Sequence, residues 1–246
     1  MSLKPMQIAA GLAQAAKGKK TAAIILAAGQ STRMGGKTSK QFQEINGMPV
    51  LAHTLLAYQK CPLISKIVVV SRPQDFKAIA EMRQQYGFSK LKHLVAGGAT
   101  RQQSARNGMK KIDEDIRYVA IADGARCLVT PEQITNVCLF AYRHQAASAG
   151  HQINDTVKRT TTSGMTCEMV DRKNLWQAQT PQVFHTSLYI AAMYQAQKDR
   201  FDATDDNALI EHLGYRVKMV ECGRENIKIT TPEDIPLAET ILQKRG

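Results

Sequence analysis

The chain has 246 residues, with 33 Lys and Arg against 21 Asp and Glu, a formal charge of +12 and a 43% hydrophobic fraction. With 16 Gly and 8 Pro, this composition excludes disordered, collagen-like and low-complexity classes, and no run reaches the ~18 apolar residues of a membrane span. Five scattered cysteines (Cys61, Cys127, Cys138, Cys167, Cys222) include no C-x-x-C pair, which argues against a disulfide framework or zinc ribbon and points to a reducing cytoplasm.

Residues 1–20 carry Lys4, Lys17, Lys19 and Lys20 with no acid and read as a basic extension outside the fold, which is expected over 21–246. From Thr21 short apolar runs alternate with helical segments. Strands are predicted at 21–27, 66–70, 91–95 and 117–122, and helices at 49–59, 73–86 and 101–112. Continuous apolar runs suit strands buried on both faces of a parallel sheet. Thr130-Pro131-Glu132-Gln133 carries a capping box with proline in the first turn, and Thr231-Pro232-Glu233-Asp234 repeats that start signal before 235–242. The alternation predicts a single doubly wound, mostly parallel, Rossmann-like α/β sheet with ligands at the carboxyl ends of its strands. Residues 151–175 break the rhythm: they are polar and Thr-rich, and alternation around Ser163-Gly164 predicts a β-hairpin projecting from the body.

The stretch after the first strand, Ala27-Ala28-Gly29-Gln30-Ser31-Thr32-Arg33-Met34-Gly35-Gly36-Lys37-Thr38-Ser39-Lys40-Gln41, is small, basic and suited to phosphate; a flexible basic loop without a ligand is the plainer alternative. A Rossmann fingerprint fails because Ser31 and Met34 stand where glycines belong. A Walker A motif is missed by one residue, Ser31, but the polar residues 39–46 do not open an amphipathic helix. The basic excess contains no block of five or six like charges, and 6% aromatic content offers few stacking platforms, so no nucleic-acid partner is expected. The histidines lack metal-ligand spacing.

The loop resembles the A-A-G-x-G/S-x-R-M signature of nucleotidyltransferases acting on sugar and polyol phosphates. Further segments follow in order. They are Gly97-Gly98-Ala99-Thr100-Arg101 with Ser104 and Asn107-Gly108, Asp123-Gly124-Ala125-Arg126, Asp155-Thr156-Val157-Lys158, Val170-Asp171-Arg172, Leu175-Trp176 with Gln179-Thr180-Pro181-Gln182, Thr204-Asp205-Asp206, and Asn226-Ile227-Lys228. Together they resemble the 2-C-methyl-D-erythritol 4-phosphate cytidylyltransferase family. The resemblance implies attack of a phosphate monoester on the α-phosphate of CTP, with Arg33, Lys40, Arg172 and Lys228 as the catalytic cations. It places CTP against Ala28, Gly29, Gln30, Ser31, Gly97, Gly98, Arg101 and Ser104, and the methylerythritol phosphate against Asp123, Gly124, Arg126, Thr156, Arg172 and Lys228. It further implies Mg²⁺ or another divalent cation with Asp123 as candidate ligand, a bacterial cytosolic setting without membrane or nucleic acid, and a homodimer in which the 151–175 arm is exchanged.

Four residues depart from the family pattern: Ser31, Ser39, Gly124 and Cys127. The last two are expected to loosen the turn beside Asp123. A ribitol 5-phosphate cytidylyltransferase shares the nucleotide loop and Q-T-P-Q, whereas D-T-V-K-R and V-D-R favour methylerythritol phosphate. A P-loop-like NTPase or a non-catalytic nucleotide-binding protein stands as the reading from another class.

Overall fold

In the computed structural model, which describes residues 18–29 and 39–245, the apolar run Thr21–Leu26 forms β1. A 3₁₀ turn at Lys40–Phe42 leads into a small hairpin of β2 (Glu44–Ile45) and β3 (Met48–Pro49), closed by Asn46 and Gly47 at φ 49° and 73°. Asn-Gly suits such a turn because both residues tolerate positive φ. Then follow α1 (Val50–Lys60), β4 (Ile64–Ser71), α2 (Phe76–Gln85), β5 (Leu91–Ala96), α3 (Arg101–Met109) and β6 (Tyr118–Asp123). The second half contains α4 (Pro131–His144), β7 (Ala146–Gln152), β8 (Lys158–Thr160), β9 (Thr166–Met169), β10 (Trp176–His185), α5 (Thr186–Lys198), α6 (Asp206–His212), β11 (Lys218–Glu221) and α7 (Asp234–Arg245).

The predicted alternation holds, with two refinements. The capping box at α4 forms as expected, Thr130 Oγ1 accepting from Gln133 N and Gln133 Oε1 from Thr130 N. At α7 the start signal works differently: Asp234 Oδ2 accepts from Thr230 N at 2.7 Å and Thr231 N at 2.9 Å, so the acid reaches back and Thr231 does not cap. The segment 73–75 is a 3₁₀ lead-in to α2, its proline fixing the first turn.

Seven strands form one sheet in the order β11-β7-β10-β6-β1-β4-β5. Among the described residues β10 is the strand that runs antiparallel to its neighbours, β6 and β7, while β1, β4, β5 and β6 pair in parallel, as do β11 and β7. Alternate residues of β1 feed two cores. Ala23 and Ile25 pack with Leu55, Tyr58, Ile79 and Val137 from α1, α2 and α4; Ala22 and Ile24 pack with Ala105, Tyr189 and Ile210 from α3, α5 and α6. Both faces are therefore covered by helices, as a doubly wound sheet requires. Gly108 lets α3 come close: a Cβ there would lie 2.5 Å from Ile24 Cγ2 and 3.0 Å from Val70 Cγ2. A third cluster gathers α7, β2 and the chain after β6 through Ile45, Cys127, Leu128, Ile229 and Ile241.

The arm is present. β8 and β9 form an antiparallel hairpin separate from the main sheet, turning through Gly164 at φ 84°, and every residue of both strands is exposed. Its base is closed where Gln152 pairs with Trp176 and Ile153 N donates to Leu175 O. Among the described residues no helix is long and apolar enough to cross a membrane.

Candidate active site

The chain leaves β1 toward β4 on one side, and β6 returns on the other. This reversal puts a crevice at the carboxyl ends of β1 and β6, where Leu26 and Asp123 stand in register. The crevice has a volume of about 450 Å³, and its walls include Ala28, Gly29, Lys40, Arg101, Asp123 and Lys228. Gln41, which is 2% exposed, anchors the returning loop through Gln41 Nε2 to Ala27 O at 2.5 Å.

One wall is the turn after β5. A Cβ on Gly97 would sit 2.4 Å from Ala28 Cβ, and one on Gly98 would sit 2.4 Å from Gln103 Cβ, so glycines are needed for the two backbones to approach. Ser104 Oγ accepts from Gly98 N and donates to Thr100 O, both at 3.0 Å. Its hydroxyl thus shapes the turn as well as lining the crevice. Thr100 caps α3 by accepting from Gln103 N, and the helix N-terminus with its positive dipole end opens on the crevice, a placement that suits anions.

Asp123 is the electrostatic centre. Lys228 Nζ lies 2.9 Å from Asp123 Oδ2, Arg126 Nε 3.6 Å from the same oxygen, and Arg101 Nε 3.7 Å from Oδ1. Burial pushes the Asp123 carboxyl up, but Lys228, Arg101 and Arg126 together outweigh it and hold it below the ordinary carboxylate range. Burial pulls the Arg126 guanidinium down, partly offset by Asp123. For Arg101 burial is again opposed, here by Asp206 and Asp123, and its guanidinium ends above the usual arginine value.

Arg101 owes its place to a buried acid that sequence reasoning left without a role. Arg101 Nη1 is 2.5 Å from Asp206 Oδ2, Asp206 is 1% exposed, and Tyr189 OH donates to Asp206 Oδ1 at 2.5 Å. Asp206 opens α6, and its backbone N–H donates to Gln182 Oε1 at 2.9 Å. Thr204-Asp205-Asp206 is legible as a motif; the sheet order that brings Asp206 beside Arg101 is not visible in sequence spacing.

The Gln179-Thr180-Pro181-Gln182 segment is a strap. It occupies the irregularity in β10, where the register with β7 shifts between Ala178 and Gln182. Thr180 Oγ1 accepts from Asp123 N at 3.0 Å, and Gln182 Nε2 donates to Asp205 Oδ2 at 2.7 Å. Asn226 is fully buried and donates from Nδ2 to both Gln179 Oε1 and Thr180 O at 3.0 Å. Arg126 Nη1 donates to Asn226 O at 2.7 Å, and its buried Nε has no hydrogen-bond partner among the described residues. The expected loosening beside Asp123 does not occur. Gly124 N donates to Leu26 O at 2.8 Å, Thr54 Oγ1 donates to Gly124 O at 2.9 Å, and Cys127 is buried in the third core cluster.

A second cavity of about 550 Å³ adjoins the crevice across Lys228 and Thr230; Arg126, Arg224, His151 and Asn154 are among its lining residues. The structure therefore gathers Ala28, Gly29, Lys40, Gly98, Arg101, Ser104, Asp123 and Lys228 at the crevice, and Arg126 and Lys228 at its neighbour. Gly97 and Gly124 lie beneath the lining as packing residues. Gln30, Ser31 and Arg33 fall outside the described residues, as does the extension before residue 18. Arg172 and Thr156 are exposed on the arm and line neither cavity; Arg172 Nη1 donates to Asn154 O.

For a divalent cation, no group of three His, Cys, Asp or Glu side chains comes together among the described residues. Asp123 would supply one hard ligand: its Oδ1 has an arginine at 3.7 Å, too long for a hydrogen bond. That suits an ion bound through one carboxylate plus substrate phosphates.

The profile of the 2-C-methyl-D-erythritol 4-phosphate cytidylyltransferase family matches residues 21–244. The protein of that name from Syntrophus aciditrophicus is 42% identical over 226 residues, 92% of this chain and 97% of its own; that of Caldanaerobacter subterraneus is 40% identical over 223 residues, 90% and 98% of the two chains. Among solved structures, the 4-diphosphocytidyl-2C-methyl-D-erythritol synthase of Anaerococcus prevotii superposes with a TM-score of 0.83 at 29% identity, covering 94% of this chain and 99% of that one. The Thermus thermophilus cytidylyltransferase gives 0.73 at 26%, covering 91% and 99%.

Proposed function

Because the chain belongs to the 2-C-methyl-D-erythritol 4-phosphate cytidylyltransferase family, we propose that its switch-point crevice binds CTP and that the adjoining cavity receives the polyol phosphate. The reaction transfers CMP from CTP to 2-C-methyl-D-erythritol 4-phosphate and releases pyrophosphate, a step of the non-mevalonate route to isoprenoids. The observation that carries the residue assignment is the convergence of Arg101 and Lys228 on Asp123, in a crevice that Lys40 also lines, at the carboxyl ends of two parallel strands.

The nucleophile, a phosphate monoester with a second pKa of ~6, is already anionic near neutral pH, so no general base is needed. The task is to bring two polyanions together and to stabilise charge on the transferring phosphoryl group. Arg33 and Lys40, which follow β1 in the sequence, grip the triphosphate. Lys228, shared by both cavities, orients the attacking phosphate in line with the α-phosphorus. Asp123, which also faces Arg126, fixes Lys228 before substrate arrives. The backbones of Ala28, Gly29 and Gly98, held close by Gly97 and Ser104, line the place of the cytosine; the Gly98 N–H is taken by Ser104 Oγ, so the amides presented to the base are those of Ala28 and Gly29. A divalent cation held by Asp123 and the phosphates would neutralise triphosphate charge. Arg172 and Thr156, absent from the crevice of their own chain, reach the second cavity of a partner subunit through exchange of the 151–175 arm. The protein works in the cytoplasm, in keeping with free cysteines at all five positions.

The test is pyrophosphate release with CTP and a panel of polyol phosphates. Release should require both CTP and methylerythritol phosphate. Equal release with ribitol 5-phosphate would overturn the substrate assignment, and substrate-independent phosphate release from ATP would make the protein an NTPase.

A further inference from the structure

In the second cavity the hydrogen bonds fix the protonation of a histidine to which the reaction as described assigns no role. The deduction starts from backbone carbonyls, which can only accept. Thr180 O sits 3.0 Å from one side-chain end of Asn226, so that end is the amide nitrogen. The same nitrogen lies 3.0 Å from Gln179, which must present its oxygen there. Gln179 is thereby oriented independently of a second check that agrees: its other end lies 3.0 Å from Gly223 O and must be Nε2. Gln179 Nε2 spends one proton on Gly223 O and directs the other at His151 Nδ1, 3.1 Å away. His151 Nδ1 is therefore a hydrogen-bond acceptor, its ring is neutral, and its proton resides on Nε2.

This leaves His151 Nε2–H as a donor with no protein partner among the described residues, on a half-buried ring that lines the second cavity. The position is rigid: β7 pairs His151 with Gln177 of β10, and Gln179 and Asn226, which orient the ring, are 3% and 0% exposed. The chemistry of the cavity divides accordingly. Arg126, Arg224 and Lys228 are cations matched to a phosphate, whereas an uncharged N–H donor is matched to a hydroxyl, which gains little from a further charge and needs direction. We propose that His151 is a specificity-determining residue of the second cavity, donating from Nε2 to a hydroxyl oxygen of the bound polyol phosphate, with Gln179 as the residue that positions it. The inference rests on the second cavity being the polyol-phosphate site.

Steady-state kinetics with each substrate varied would test it, comparing His151→Phe, which keeps the ring without the donor, and His151→Gln, whose amide nitrogen reaches toward the Nε2 position. His151→Phe should raise KM for methylerythritol phosphate about 3- to 10-fold, the loss of one neutral hydrogen bond, with KM for CTP unchanged; His151→Gln should restore most of it. An unchanged KM for the polyol phosphate in His151→Phe would overturn the proposal while leaving the enzymatic reading intact. Equal rises in both KM values, unrescued by glutamine, would also overturn it by reducing His151 to a structural role. Wild-type protein that turns over no polyol phosphate would sink both readings together. A measurement independent of variant folding is ¹⁵N NMR of the histidine rings in the wild-type protein with α,β-methylene CTP bound. The His151 ring should be protonated at Nε2 alone, and the Nε2 resonance should move when methylerythritol phosphate is added. Protonation at Nδ1, or an Nε2 resonance indifferent to the polyol phosphate, would refute the assignment.

Discussion

Asp206→Asn changes one atom in the second layer of the crevice and isolates what holds Arg101. The wild-type carboxylate is 1% exposed and takes Arg101 Nη1 on Oδ2 and Tyr189 OH on Oδ1, both at 2.5 Å. Removing one partner of a fully buried ion pair costs about 3–5 kcal/mol. Here the cost is smaller, because the Arg101 side chain is 28% exposed and keeps Asp123 at 3.7 Å, and because asparagine retains one acceptor oxygen. A loss of about 1–3 kcal/mol follows, or roughly 3–10 °C in Tm for a chain of this size. Freed from Asp206, the Arg101 guanidinium moves toward Asp123 and competes with Lys228, so KM for CTP should rise several-fold. Tyr189→Phe is the control. It removes a neutral donor but leaves the ion pair, costs about 1 kcal/mol, and should leave KM for CTP alone. Thermal unfolding and initial-rate kinetics on the three proteins decide the matter. If Asp206→Asn matches wild type in both, or if Tyr189→Phe does more harm to CTP binding, the claim that Asp206 positions Arg101 is wrong.

Three further outcomes are expected. Arg172→Ala should abolish turnover while leaving CTP affinity nearly unchanged in a direct binding assay, and mixing it with Lys228→Ala should recover about a quarter of wild-type activity through heterodimers with one intact site, if arms are exchanged; absence of recovery would count against exchange. Gly108→Ala should destabilise by about 1–3 kcal/mol in urea titration, since its Cβ would lie 2.5 Å from Ile24 Cγ2, and a neutral effect would mean that α3 can lift from the sheet without cost. For Asp123 the folded carboxyl lies below its unfolded value, so its contribution to stability is present above the ordinary carboxylate range and is lost as pH falls through the lower, folded value. Asp123→Asn should therefore flatten the acid limb of the stability curve below about pH 4 and leave its shape between pH 6 and 8 unchanged.

The reasons why parts of this molecule were legible are local. β1, β4 and β6 each contain a continuous apolar run with β-branched residues, and their burial on both faces is the condition under which such runs occur. β7 was not legible: Ala146–Gln152 contains no β-branched residue, and its strand conformation comes from neighbours that close on Gly150, where a Cβ would meet Met219 Cε at 2.6 Å and Gln177 O at 2.9 Å. β10 carries a proline in its middle, which argues against a central strand; the register shift that accommodates Pro181 is a tertiary feature. Within the site, Lys40, Asp123 and Lys228 were readable because motif order survives in sequence. The Asp206–Arg101 and Gln179–His151 contacts were not, since each joins residues that become neighbours only once the strand order is set.

The same strand order explains how a basic site is kept in shape without its ligands. Three cations, Lys228, Arg101 and Arg126, face one carboxylate within 3.7 Å, and in a buried setting they would repel one another if Asp123 were neutral. Asp123 is too small a charge to neutralise them all, and that imbalance is useful. Its hydrogen bonds to the cations are incomplete, with two of the three contacts longer than a hydrogen bond, so an incoming phosphate can take over part of each cation's pairing without first breaking a full set. The remaining anchors, Asp206 for Arg101 and Asn226 O for Arg126, lie behind the crevice wall and stay in place during that exchange. Under the proposed function, positive charge is thus preorganised for a phosphoryl group at small reorganisation cost. The net excess of +12 matters less than the few cations that this carboxylate and its anchors hold in position.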